Sequence, residues 1–116
     1  MRTFGTTSHT PQLVVQAQEE SSSAATVTVT GEVDTDTQAE MQRVVVDLLD
    51  HHRGGRLVLD MGGVTFLDAA GVRALLACHD AAERLGTGLE ICAAHDCVRR
   101  ALGICGVAEI FHLQGV

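Results

Sequence analysis

The chain predicts an α/β domain with a partly parallel sheet, and three observations carry that expectation. Strand-like and helix-like runs alternate after an initial strand pair, in the order β-β-α-β-α-β-α-β. The helix-like runs are long enough to cross over between parallel strands. One run, "RLVLDM" (56–61), is apolar nearly throughout, as in a strand inside a sheet. With 116 residues, 46% hydrophobic and 20% charged, the composition is that of one globular domain with a real core.

Residues 1–11 are polar and unpatterned, end at the single proline, Pro11, and read as a flexible extension ahead of a domain over 12–116. "QLVVQAQ" (12–18) is a short strand, and "EESSSAA" (19–25) a polar turn with no apolar anchor. "TVTVTGEV" (26–33) alternates strictly, with Val27 and Val29 on one face and threonines on the other, as a half-buried strand does. A first helix is expected to begin near Asp34, where Thr35 with Gln38 fits a capping box and Thr37 with Glu40 offers a second register. Met41, Val44, Val45, Leu48 and His52 then form one apolar stripe, and Gly54 and Gly55 end the helix.

"RLVLDM" is expected to be covered on both faces, and Gly62 and Gly63 to loosen the chain before "VTFLD" (64–68) leads into the second helix. On that helix Val72, Leu75, Leu76, His79 and Ala82 share one side. Arg73, Ala77, Asp80 and Arg84 share another, with Asp80 and Arg84 spaced as a weak ion pair, and Gly86 stops the helix. "GLEICAA" (88–94) is a strand, and "DCVRRALGICG" (96–106) a helix with Val98, Ala101, Leu102 and Cys105 inward. "EIFHL" (109–113) reads as the last strand.

Composition excludes several functions. A formal net charge of −7, with three Phe and no Trp or Tyr, argues against nucleic acid as a partner. An acidic surface suits a basic protein patch instead. No window approaches the roughly 20 apolar residues of a membrane span, and "MRTFGTTSHTPQ" lacks the apolar centre of a signal peptide. A cytoplasmic protein that does not insert into membranes is the expectation. Cys78, Cys92, Cys97 and Cys105 lack paired spacing and read as four small buried hydrophobes.

Candidate chemistry is sparse, and neither a cofactor nor a metal is called for. His51 and His52 are neighbours at a helix end, where side chains diverge by about 100°, so they are expected not to chelate together. His79 reads as a partly buried core histidine. Cys97, in the first turn of a helix with His95 nearby, is a candidate nucleophile without an orienting third group. The glycine pairs match neither G-x-G-x-x-G nor a P-loop.

"FLDAAGVRALL" (66–76) remains. Asp68 stands where a helix N-cap belongs, and a cap explains it fully. A cap does not require small residues at Ala69, Ala70 and Gly71, which become useful where a backbone must be approached closely. "GEVDTDT", "RLVLDMGGVTFLDAAGVRALL" and "VRRALGICGVAEIFHL" together resemble the STAS domain of bacterial anti-sigma factor antagonists, over about residues 12–114.

That resemblance implies a small mixed sheet with helices packed mainly on one face, and a protein that works by binding. Relatives of this type dock on an anti-sigma factor, often a serine kinase of the ATPase-kinase type, and so free a sigma factor. The kinase switches the antagonist off by phosphorylating the first serine of a D-S-S-G segment. By position that serine falls on Ala69 and the second on Ala70, between Asp68 and Gly71, while Asp34 matches the acid of the family's G-E-L-D strand end.

Alanine has no hydroxyl, so the resemblance implies a docking loop held in its unmodified form. Thr65, four residues earlier, is a poor substitute acceptor. Arg73, Ala77 and Asp80 would extend the contact along the second helix. The alternatives are a STAS subunit of another signalling or lipid-transport assembly, and a small cysteine-dependent enzyme built on Cys97.

Overall fold

The computed structural model describes residues 2–3, 8–9, 12–111 and 113–114. Its elements are β1 (Arg2–Thr3), β2 (Ser8–His9), β3 (Leu13–Ser21), β4 (Ala24–Val33), α1 (Gln38–His51), β5 (Arg56–Leu67), α2 (Ala69–Leu85), β6 (Gly88–Cys92), α3 (Asp96–Ile104) and β7 (Leu113–Gln114). From β3 onward this is the predicted order. The stretch read as a flexible extension contributes two short pairings, since β1 and β2 both lie antiparallel on β3. The rest of residues 1–11 lies outside the described residues.

The sheet is mixed. β3 and β4 form an antiparallel hairpin, whereas β4, β5, β6 and β7 run parallel in that spatial order. Each of α1, α2 and α3 therefore carries the chain to the next strand in the same direction. Crossovers of one hand that always step the same way lay their helices on one face of a sheet.

Burial follows. Leu13, Val15 and Ala17 on β3, Ala25, Val27 and Val29 on β4, Leu57, Leu59 and Met61 on β5, and Ile91 on β6 are buried in the core. The opposite face keeps Gln16, Gln18, Thr30 and Arg56 exposed and Thr26, Thr28, Val58 and Asp60 half-buried. The expectation that "RLVLDM" is covered on both faces is thus corrected. Its burial alternates because the helices occupy one side only.

Other local readings change for equally local reasons. The polar turn over 19–25 shrinks to Ser22 and Ser23, with Ala25 anchored in the core at the start of β4. Gly62 and Gly63 lie inside β5, where the pairing with β4 shifts register between Thr28 and Thr30. Such an irregularity bends a strand without ending it. Helix α1 starts at Gln38, not near Asp34, and neither capping box closes. The Thr37 hydroxyl turns back to donate to the Glu32 carbonyl (2.8 Å) and accept from the Asp34 amide (3.0 Å).

Buried side chains of α1 are Met41, Val44, Val45, Leu48 and Leu49; on α2 they include Val72, Leu75, Cys78 and Ala82. Gly86, in left-handed geometry, caps α2 as expected. Asp80 and Arg84 make no ion pair; those seen among the described residues include Arg43 with Glu40 and Asp47, Asp50–Arg53 and Arg56–Glu90. On α3, Val98 and Leu102 point inward but Cys105 is exposed. Glu109 and Ile110 belong to a turn rather than a last strand, and Phe111 is buried edge-on against His79. Strand pairing resumes at Leu113–Gln114, with His112 outside the described residues.

Candidate partner-docking site

β4 and β5 are paired to their final residues, Val33 opposite Leu67. The next residue of each chain segment is an aspartate. Parallel pairing therefore brings Asp34 and Asp68, distant in sequence, to adjacent strand ends, at the carboxyl edge where open α/β sheets place their sites. The Asp68 amide donates to the Val33 carbonyl at 3.3 Å and ties the two ends together.

The two carboxylates are held differently. Asp68 has extended backbone and caps α2, its Oδ1 accepting from the Gly71 amide at 3.0 Å. Asp34 closes a turn, its Oδ1 accepting from the Asp36 amide at 2.9 Å and the Thr37 amide at 3.1 Å. That use of local amides delays the helix to Gln38, since an Asp side chain competes with the helix for backbone donors. Both aspartates are half-buried.

Of the three small residues in the loop, only Gly71 is forced by space. A Cβ there would stand 2.5 Å from Leu67 Cδ1 and 2.9 Å from the Val33 carbonyl oxygen. The carboxyl ends of β4 and β5 can close on the first turn of α2 because that side chain is absent. Ala69 is exposed and Ala70 half-buried, so steric need does not select their type. Ala69 is also the first residue of α2, beyond the Asp68 cap. On the same helix Arg73 and Asp80 are exposed and Ala77 is half-buried between them, at the spacing of one outward stripe.

Thr65 is exposed but stands in a different place. It lines a shallow groove with Phe66, Cys97, Arg100, Ala101 and Ile104, between β5 and α3. Phe66 and Ile104 leave 46% and 79% of their surface exposed there.

Cys97 donates its S–H to the Val64 carbonyl at 3.2 Å, and His95 is exposed. Cys78 is the fully buried cysteine, and burial pushes its pKa up to about 12. Cys92 is half-buried, and burial, then the nearby Asp60 charge, raises its pKa. Four buried thiols were expected; among them Cys78 alone is buried, Cys105 is exposed and the other two are intermediate.

The expected divergence of the His51 and His52 side chains is corrected. His51 and His52 do converge, with ring centroids 5.1 Å apart. The divergence of neighbouring helical side chains does not apply, because His52 is the C-cap of α1 and has left helical geometry (φ −112°, ψ 37°). Glu19 joins them, so that one potential ligand atom from each of the three lies within 4.8 Å of the others. The signal for Glu19 was in the strand: it continues the inward series Leu13, Val15, Ala17 at the end of β3. This cluster is at the opposite end of the sheet from Asp34 and Asp68, since Glu19 pairs with Ala25 at the beginning of β4.

Comparison with known proteins places the fold. An anti-sigma factor antagonist from Mycobacterium paratuberculosis superposes with a TM-score of 0.73 at 23% identity, covering 90% of this chain and 85% of that one. The antagonist SpoIIAA in its unphosphorylated form gives 0.70 at 13% identity, covering 85% and 86%; its phosphorylated form is described from Bacillus. The murine anion transporter Slc26a9 carries a similar fold, with a TM-score of 0.71 and 21% identity, covering 84% of this chain and 17% of the transporter. No curated protein matches the sequence. The family model described as "Mlab, STAS domain" matches residues 16–114, and with that span and this fold the chain belongs to the STAS domain family.

Proposed function

We propose that the protein is a binding module of the anti-sigma factor antagonist type, docking on an anti-sigma factor or serine kinase without the usual phosphorylation switch. The observation that carries this reading is the paired strand end: Asp34 and Asp68 side by side, with an exposed alanine at the first position of α2. Asp34, Asp68, Ala69, Ala70 and Gly71 form its centre, and Arg73, Ala77 and Asp80 extend it along α2. The resemblance to antagonists supports the type of partner, and the geometry supports the face.

The physical consequence of Ala69 is direct. A phosphoserine there would add about −1.5 to −2 charges beside two carboxylates. The helix N-terminus would favour that charge, but a docked partner would meet a crowded, strongly negative loop. Alanine keeps the loop neutral at that point, so docking is constitutive or controlled by a competitor or by supply.

The test is an anti-sigma kinase of the source organism, incubated with the protein with and without ATP. Wild-type protein is expected to bind in both conditions and take up no phosphate. Ala69→Ser is expected to accept phosphate at residue 69 and then release the partner. Phosphate on Thr65 of the wild-type chain, or no binding to any such kinase, overturns the proposal. A second reading, a STAS subunit of another signalling or lipid-transport assembly, draws on the anion transporter, in which a similar fold forms a small part of a larger chain. Identification of what co-purifies with the protein separates the two.

A further inference from the structure

The cluster at the far end of the sheet has the makings of a metal site. His52 is 1% exposed, and its Nδ1 lies 3.2 Å from the Ser22 carbonyl. A carbonyl can only accept, so Nδ1 is the donor, and in the neutral ring the lone pair is on Nε2. A backbone carbonyl that fixes the tautomer on one ring nitrogen is the usual support of a metal-ligating histidine. His51 adds an exposed imidazole at the last residue of α1, and Glu19 adds a half-buried carboxylate from the inward face of β3.

Three donors of types N, N and O, offered by the end of β3 and the C-terminal end of α1, match the His₂Glu set that zinc accepts while keeping a position open. Donors around tetrahedral zinc stand about 3.4 Å apart, from bond lengths of about 2.0–2.2 Å. The three donor atoms lie within 4.8 Å of one another, and the exposed His51 and half-buried Glu19 side chains have room to adjust.

We infer that Glu19, His51 and His52 bind one divalent transition-metal ion of the zinc type. The ion would join the end of β3 to the C-terminal end of α1, at the turn that begins β4. This site is independent of the Asp34–Asp68 face, so its failure leaves the docking proposal untouched, and the reverse.

The experiment titrates zinc into the full-length, tag-free protein against a chromophoric chelator, and follows the thermal midpoint with and without the ion. One equivalent is expected to bind and to raise the midpoint. Glu19→Gln and His51→Ala, both at positions outside the fully buried core, are each expected to weaken binding at least tenfold while the metal-free proteins stay folded by circular dichroism. A variant with Cys92, Cys97 and Cys105 replaced by serine is expected to bind as wild type, and the cobalt-loaded protein to lack thiolate charge-transfer bands. No binding of zinc overturns the inference. So does unchanged affinity in both single variants, or loss of binding in the cysteine variant.

Discussion

The two ends of the sheet make opposite use of their polar residues. At the carboxyl end, Asp34 and Asp68 turn their oxygens onto amides of their own loops, and the surface beyond them is presented by Ala69, Arg73 and Asp80. At the amino end, His52 is buried and fastened to a carbonyl, with Glu19 and His51 gathered beside it. The first arrangement ties side chains to local backbone and leaves the surface of α2 beside it exposed. The second collects donor atoms around a point. Both depend on one glycine that lets main chains touch: Gly71 at the carboxyl end, and Gly55 at the amino end, where a Cβ would strike the Ser23 carbonyl.

Substitution at those glycines is the most severe way to break either end. Gly71→Val is expected to cost about 3 kcal/mol, because its side chain meets the Val33 backbone and the buried Leu67, and overpacking of that kind is not easily relieved. Gly55→Ala is expected to cost about 2 kcal/mol or more, since the obstructing atoms are backbone. Urea denaturation with a constant m-value measures both. Equal stability of Gly71→Val and wild type would mean that the close approach of β4 and α2 is not what the loop is built for.

Between the two ends, Cys78 offers a control that belongs to neither. Its folded pKa is raised to about 12 by burial, from 9.0. Below about pH 9 the thiol is neutral in both states and has no effect. Above it the unfolded chain ionises while the folded chain does not, so stability falls with rising pH until the folded pKa is reached. The slope is about 1.4 kcal/mol per pH unit for one proton. Denaturation curves at pH 8, 9.5 and 10.5 are expected to show a steeper loss in wild type than in Cys78→Ala; parallel profiles would contradict it.

Smaller changes sharpen the contrast between the two aspartate turns. Thr37→Val is expected to cost about 2 kcal/mol, because a buried hydroxyl that satisfies the Glu32 carbonyl and the Asp34 amide is lost. Asp68→Ala removes a single capping bond and is expected to cost about 1 kcal/mol. Ala69→Ser, on an exposed first-turn position, is expected to change stability by less than about 0.5 kcal/mol. A partner-binding defect in unmodified Ala69→Ser would therefore reflect the surface and not the fold.

Much of this was legible in the residues, and the misses share a cause. The stripe Met41, Val44, Val45, Leu48 and His52 is buried as read, because helical periodicity is a local property. Asp68 caps α2 as read, because a cap is made with the next few amides. The divergence read for His51 and His52 assumed two helical residues, whereas His52 is the C-cap and the rings stand together. Glu19 was hidden in a polar run because the histidines beside it lie at the end of α1, far along the chain. Gly62 and Gly63 looked like a break in the chain, yet pairing with β4 holds them in the strand.

By itself the sequence determined the alternation of strands and helices, the buried stripe of α1 and the cap at Asp68. Each follows from spacing and side-chain chemistry within a few residues. The tertiary structure decided which distant residues meet: Asp34 with Asp68 through parallel pairing, Gly71 with Val33 through close packing, and Glu19 with His51 and His52 through the seat of α1 on the sheet. Those meetings rest on strand order and on a few backbone angles, which side-chain patterns in one segment do not encode.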